Sequence, residues 1–542
     1  MKRNSFILLA CLLNGFLFAQ KSTDRHGEFP DSIATHKVVL DGQSKIVSWI
    51  SPQSLAYDRF LRDRWNFIFK GIPDCPGPAP RSDYPHYYFY CAYKDQKMIP
   101  DTWMNDVGEK IPNWFESARL YYQYTGDRRA LDIIAGMINY TIDHGTSPAG
   151  FAWPGFPYTT TNAGDTLFRG FTNSGVNSLV LHEVQVDHAG DMGFAYYKLY
   201  LYTGNEKFKT AAVRVADALA AHARTGSATQ SVWPYRVVMK DGRITAQYGA
   251  NWLGCYALLD HLVKANLGNV KAYRPALAKA RDFILQFPMK TGYWTDGHTD
   301  TDVNSNTYKS NMSASNATLY MFDNPGFDPD YKTDIPKLIQ WTEKNFVLRC
   351  ATGEPSTQWG ANIVGEQDGF LPKMDYQTAR YGGECARWYR LSGDTTYKEK
   401  AYRALNWVTY CSDSNGLAFE SPLSKGVTSW WSDCYGEGPR MFYHALAAMP
   451  EWAPPGENHI LYSADVLTDV SYEKNKVDYR ATGGPGQEFL RLAFKPSMIR
   501  VNGSAISPED DLLKEGYTLR PLGNSDYALI IKRSASGPVS VE

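Results

Sequence analysis

A motif that recurs three times constrains this chain more than any other feature. Tyr121-Tyr122-Gln123-Tyr124-Thr125-Gly126-Asp127, Tyr197-Lys198-Leu199-Tyr200-Leu201-Tyr202-Thr203-Gly204-Asn205 and Trp388-Tyr389-Arg390-Leu391-Ser392-Gly393-Asp394 each pass from aromatic residues through a hydroxyl to Gly and then Asp or Asn. Glycine suits the left-handed residue that ends a helix, and Asp or Asn suits the cap of the next one. Beyond each glycine, apolar residues follow helical spacing: Leu131, Ile134, Ala135, Ile138 and Ile142; Ala211, Ala212, Val215, Ala216, Leu219 and Ala220; Ala401, Ala404, Leu405 and Val408. Each copy is thus expected to be a helical hairpin.

The motif glycines stand 78 and 189 residues apart, so two more hairpins fit between the second and third copies. Residues 251–266 with 273–287, and 312–322 with 335–348, have the required patterns. A last helix is expected over about 433–449, with 52–69 as its partner. Six hairpins close into an (α/α)6 toroid, mostly α, whose inner helices surround a funnel and whose long loops form its mouth. The repeat resembles that of secreted carbohydrate-active toroid enzymes: unsaturated glucuronyl hydrolases and related glycoside hydrolases and polysaccharide lyases. It extends over roughly residues 50–450 and implies a sugar-processing fold without naming the sugar.

After Pro450-Glu451-Trp452-Ala453-Pro454-Pro455-Gly456 the period changes to two, in Val477–Ala481, Leu490–Phe494 and Tyr527–Ile531, with Asn502-Gly503 as a hairpin turn. The expected division is a signal peptide at 1–20, an N-terminal segment with the first helix at 21–110, the toroid at 110–452 and a small β-sandwich-like domain at 457–542. No tryptophan follows Trp452, which favours a bracing role for this appendage over sugar binding.

Residues 1–20 place Lys2 and Arg3 before an apolar run from Phe6 to Ala19, as a secretory signal peptide does, with cleavage expected after Ala19. Leu8-Leu9-Ala10-Cys11 offers a second reading, a lipobox that would anchor Cys11 to lipid. The protein is expected outside the cytoplasm, periplasmic or secreted, with no membrane span. Cys75 and Cys91 flank a Pro-rich loop and could pair there; the other mature cysteines read as small buried hydrophobes.

The charge balance, 56 Lys+Arg against 57 Asp+Glu, argues against a nucleic-acid partner. The aromatic inventory of 15 Trp, 36 Tyr and 25 Phe points instead to a carbohydrate, because rings meet the C–H faces of sugars while neighbours bond their hydroxyls. Trp153, Trp233, Tyr248, Asn251, Trp252, Trp430 and Trp431 lie in or beside the loops before inner helices and are the candidate subsites; packing between hairpins is the competing role.

Glycoside hydrolysis needs one carboxyl group to protonate the leaving oxygen and another, ionised, to activate water or attack carbon. Asp187 and Asp191, four apart beside His188, enter the second inner helix; Asp433 and Glu437 enter the last; Asp375 opens the fifth. Helix capping and a Glu437–Arg440 ion pair are the structural alternatives. Arg380 is the candidate for holding a uronate carboxylate, against pairing with Asp375 or Glu384. Asp300, Asp302 and Asn304 alternate as calcium ligands do but lack the glycine and bidentate glutamate of an EF-hand loop, so a solvated loop is the default and no cofactor is expected. The leading expectation is a glycoside hydrolase acting at a uronic-acid residue. The runner-up is a polysaccharide lyase using Tyr248, Asn251 or His188, and the third reading is a non-catalytic glycan-binding protein.

Overall fold

The computed structural model describes residues 35–71, 91–94, 97–100, 106–162, 165, 167–170, 179–295, 306–351, 354–422 and 432–542. The signal-peptide pattern, Cys11, Cys75, the calcium-like Asp300, Asp302 and Asn304, and the pair Trp430 and Trp431 lie outside the described residues.

Each of the three repeated motifs forms the turn of a hairpin. Helices α1 (Ala56–Gly71), α2 (Val107–Thr125) and α3 (Arg129–His144) are followed by α4 (Val186–Thr203) and α5 (Glu206–His222). Gly126, Gly204 and Gly393 sit at φ 75°, 69° and 75°, and each donates its amide back into the final turn of its helix. Asn205 Oδ1 accepts from the Lys207 amide 3.0 Å away, and Asp394 Oδ1 from that of Thr396 at 2.9 Å. In α3 the cap is Arg128, and Asp127 accepts from the Arg129 amide at 3.0 Å.

The remaining hairpins are α6 (Leu253–Lys264) with α7 (Val270–Gln286), and, after a single turn α8 (Pro288–Thr291), α9 (Asn311–Asp323) with α10 (Tyr331–Thr342). The last pair of the repeat is α11 (Asp375–Ser392) with α12 (Thr395–Thr409). The expected helix over 433–449 is broken into α13 (Asp433–Gly436) and α14 (Gly438–Ala448). Pro439 explains the break: it has no amide to donate, and its ring collides with the carbonyl four residues back in a continuing helix. The kink leaves Glu437 at the joint.

Around the ring α2 packs on α4, α4 on α6, α6 on α9, α9 on α11, α11 on α14, and α14 on α2 again. These six are the inner helices. Helices α3, α5, α7, α10 and α12 form the outer layer, and α1 packs on α14 as the sixth outer member. The chain is an (α/α)6 toroid. Its seams are tight: a Cβ on Gly190 of α4 would stand 2.2 Å from Cys255 Sγ and 3.1 Å from its Cα. Gly190→Ala is therefore expected to destabilise the protein by about 1–3 kcal/mol in denaturant unfolding; an unchanged midpoint would contradict this packing. Cys255, Cys385, Cys411 and Cys434 are buried free thiols, as expected for small apolar fillers, and Cys350 is half-buried.

Two antiparallel sheets follow. One has the order His459–Ser463, Gly486–Leu492, Asp526–Arg533, Gly516–Gly523; the other is Leu467–Glu473, Lys476–Ala481, Gly537–Val541, Ile499–Val501, Ser504–Ala505. Asn502 and Gly503, both at positive φ, turn the last hairpin. Both sheets contribute to one core of Leu467, Val477, Leu490, Ile499, Leu529 and Val539.

This domain meets the C-terminal ends of the inner helices. Arg119, late in α2, donates to the carbonyls of Ser463 and Asp465, each at 2.9 Å; the His459 ring stacks on Tyr124 at 4.0 Å; and Tyr462 donates to Asp323 at the end of α9, 2.7 Å away. The β domain thus covers the end of the toroid opposite the inner-helix N-termini. No described helix is long and apolar enough to cross a membrane.

Candidate active site

The N-terminal ends of the inner helices carry a girdle of polar side chains linked around the funnel. Lys110 on α2 reaches Glu109 at 2.8 Å and Asp433 at 2.5 Å. Asn113, one turn further, donates to Glu437 Oε1 at 2.5 Å, and Arg380 on α11 closes on the other oxygen of Glu437. Arg380 also donates to Asn316 Oδ1 on α9 at 2.9 Å, Asn316 donates to Asn251 Oδ1 at 3.0 Å, and Asn251 approaches Asp187 Oδ2 at 3.4 Å. His188, beside Asp187 at the start of α4, returns to Asp106 at 3.3 Å, just ahead of α2. All six inner helices, or the residues leading into them, take part.

Within the girdle the carboxylates of Glu109, Asp433 and Glu437 have oxygens within 4.8 Å of one another, and all three are buried. Like charges so close cannot all be ionised without counter-charge. Lys110 and Arg380 supply part of it. Burial pushes the Asp433 carboxyl well above the usual range; Lys110 pulls it back, and Glu109 and Glu437 push it up again. The result is a carboxylic acid poised to hold a proton near neutrality. His188 is shifted the other way: burial works against its cation, but Asp106 and Asp187 outweigh it and raise the ring to about 10. It is therefore an imidazolium at neutral pH.

Asp191, one turn beyond Asp187, is half-buried, and burial raises it to about 7 against the pull of His188. With an ordinary value of 3.8, this group favours folding below about pH 4, and that contribution is lost as pH rises through about 7. Asp191→Asn should accordingly raise stability by on the order of 2 kcal/mol at pH 8 and leave it unchanged at pH 4. Equal effects at both values, measured by thermal unfolding, would contradict the assignment.

The structure separates the expected site residues. Asp187, His188, Asp433, Glu437, Asn251 and Arg380 meet in the girdle. Arg380 pairs with Glu437 rather than with Asp375 or Glu384, and the expected Glu437–Arg440 pair is present only at 4.0 Å. Asp375 is taken by Arg64 of α1 at 2.8 Å, both wholly buried, and its carboxyl is lifted to about 6 by burial despite that partner. It belongs to the seam between α1 and α11.

Of the five tryptophan subsites, Trp153, Trp233 and Trp252 require correction. Trp153 stacks on His222 at 4.0 Å; Trp233 donates to the Leu219 carbonyl at 2.8 Å and Trp252 to that of Gly249 at 2.6 Å; the three rings are at most 1% exposed. Tyr248 is buried edge-on against Phe283 of α7. These rings fill the seams between hairpins because their area is worth more buried in protein, and each indole N–H of Trp233 and Trp252 finds a carbonyl there. Asp106, Glu109, Lys110, Asn113 and Asn316 were not singled out from the sequence, and Arg440 was read there only as an ion-pair partner of Glu437. Asp106 to Lys110 open an inner helix, the same position that drew attention to Asp187 and Asp433.

Neither a protein-family pattern nor a curated protein sequence matches the chain. Among solved structures it is similar to a D-mannose isomerase, at 12% identity over 74% of this chain and 99% of that one, with a TM-score of 0.49. It is similar also to an α-1,2-mannosidase from Trichoderma reesei, at 12% identity over 73% and 93% with a TM-score of 0.44. A third is an unsaturated glucuronyl hydrolase specific for heparin, at 10% identity over 72% and 97% with a TM-score of 0.43.

Arg440 of α14 completes the surroundings. It is half-buried, its Nε has no hydrogen-bond partner, and burial with the nearby Arg380 lowers it to about 10. A guanidinium with a spare donor, next to the girdle, is suited to an anionic ligand group.

Proposed function

We propose that the chain is an exported glycoside hydrolase cleaving an oligosaccharide at a uronic-acid residue, with Asp433 as general acid and Asp187 as the ionised carboxylate that activates water or attacks carbon. The observation that carries this reading is the girdle itself: two carboxyl groups from α13 and α4 in one polar ring, Asp433 crowded by Glu109 and Glu437, Asp187 beside an imidazolium. Environments that differ in this way divide acid from base between two groups of the same chemistry. Arg440 is the candidate for the substrate carboxylate, in place of Arg380, whose Nε is engaged by Glu437 and whose Nη1 by Ser315 and Asn316. Export rests on the pattern of residues 1–20.

Elimination by the residues expected for it is disfavoured. Proton abstraction next to a carboxylate needs an unprotonated base, whereas His188 is held as a cation and Tyr248 is packed into the wall with its hydroxyl raised to about 12 by burial. A protein that only bound glycans would gain nothing from a proton-holding carboxyl in a buried acidic triad. The test is a panel of uronate-bearing oligosaccharides, followed by reducing-end release and by ultraviolet absorbance of a new double bond. Reducing ends without new absorbance are expected. New absorbance would establish elimination, and silence in both channels across the panel would leave the binding reading.

A further inference from the structure

A second concave site lies on the outer wall of the toroid, away from the funnel. It is a cleft of about 430 Å³ between the start of α1, the outer helix α12 and the link to the β domain. That volume falls among small-ligand pockets. Tyr402 and Trp452 line it with rings 5.3 Å apart inclined at 47°, and Tyr57 meets Trp452 edge-on at 5.7 Å. Both Tyr402 and Trp452 are only half-buried. Asn406 lies against the same space and is 1% exposed; its Oδ1 accepts from the Tyr57 hydroxyl at 3.1 Å, while its Nδ2 has no hydrogen-bond partner. A buried amide donor without an acceptor costs roughly 1–3 kcal/mol, so a ligand hydroxyl that meets it recovers a bond the fold leaves unmade.

We propose that this cleft binds a neutral oligosaccharide and serves as a glycan-holding site separate from the funnel. The inference rests on reading the chain as carbohydrate-active. Inclined aromatic faces suit the C–H faces of pyranose rings, and Asn406 supplies a fixed donor for a hydroxyl. The rim sets the charge class: Lys398 is bound to Glu451 at 2.7 Å, and Glu399 is held by Lys45 at 2.9 Å and Arg403 at 2.8 Å, so the charges at the rim are already matched and favour a neutral sugar over an anionic one. The cleft and the funnel thus favour different parts of a mixed glycan, neutral residues outside and a uronate within.

The test uses the full-length chain carrying Asp433→Asn, so that ligands are not consumed, with cellotriose, mannotriose, xylotriose and maltotriose titrated by saturation-transfer NMR and calorimetry. Binding of at least one trisaccharide is expected. Tyr402→Ala should weaken it by about tenfold or more, and Thr395→Trp, which fills the cleft from an exposed position without removing packing, should abolish it. Arg440→Ala should leave it unchanged. No binding across the four probes, or binding insensitive to both cleft variants, would overturn the proposal; so would binding lost in Arg440→Ala alone, which places the sugar in the funnel. Trisaccharide binding in this variant, together with a wild-type protein that cleaves none of the uronate-bearing oligosaccharides, would refute the proposed function and leave the cleft standing.

Discussion

Asp433→Asn is expected to lower kcat on natural oligosaccharides by about 10²–10⁴-fold with the fold intact. The amide keeps the shape of the carboxyl but has no proton to give. An aryl glycoside, whose leaving group departs without protonation, should lose far less, whereas Asp187→Asn should be impaired on both substrates. Stability should hold in Asp433→Asn, because removing one of three crowded carboxyl groups relieves repulsion while Lys110 retains Glu109 at 2.8 Å. Wild-type turnover of natural substrate by Asp433→Asn would remove that residue from the catalytic pair, and an equal loss on aryl glycosides would move it to another role.

The second large effect is on stability. Arg64→Met should cost about 3–5 kcal/mol, because it strips the Asp375 carboxylate of its partner in a wholly buried seam. Arg64 also donates to the Cys434 carbonyl at 2.6 Å and so ties α1 to the segment that carries Asp433. Replacing both charges, in Arg64→Met with Asp375→Leu, should recover most of the loss, since a buried ion pair can often give way to apolar side chains of similar volume. Chemical denaturation of the two variants and the double variant measures the coupling. Full stability in Arg64→Met would contradict the pairing, and abolished turnover in a stable Asp375→Asn would return Asp375 to the active site.

The hairpin architecture was legible because it rests on local chemistry. A glycine in the left-handed region ends one helix whatever surrounds it, and it does so in all three motifs; Asn205 and Asp394 also cap the next helix, whereas in the first motif Arg128 takes the cap position and Asp127 stands one residue ahead of it. The mouth was legible in part for a related reason: Asp187 and Asp433 stand in the first turns of inner helices, where position along the sequence implies position in the funnel. Asp106 to Lys110 satisfy the same rule and could have been found by applying it to α2. Partner choice was a different matter. The pairing of Asp375 with Arg64 spans 311 residues and that of Arg380 with Glu437 spans 57, so each depends on ring closure rather than on spacing. The tryptophans misled because a ring suited to a sugar is equally suited to a seam, and only packing decides; Trp153, Trp233 and Trp252 are enclosed by protein.

The proposed function gives hydrolytic roles to Asp433 and Asp187, and isotope labelling tests that proposal directly. The wild-type protein and its Asp433→Asn variant are incubated with a uronate-bearing oligosaccharide in 18O-labelled water, and the products are weighed by mass spectrometry before exchange. One 18O atom on the anomeric carbon of the newly freed glycon, produced rapidly by the wild type and slowly by the variant, is the predicted result. Cleavage products without the label and with a new double bond, or sugar isomerised without cleavage, would contradict it.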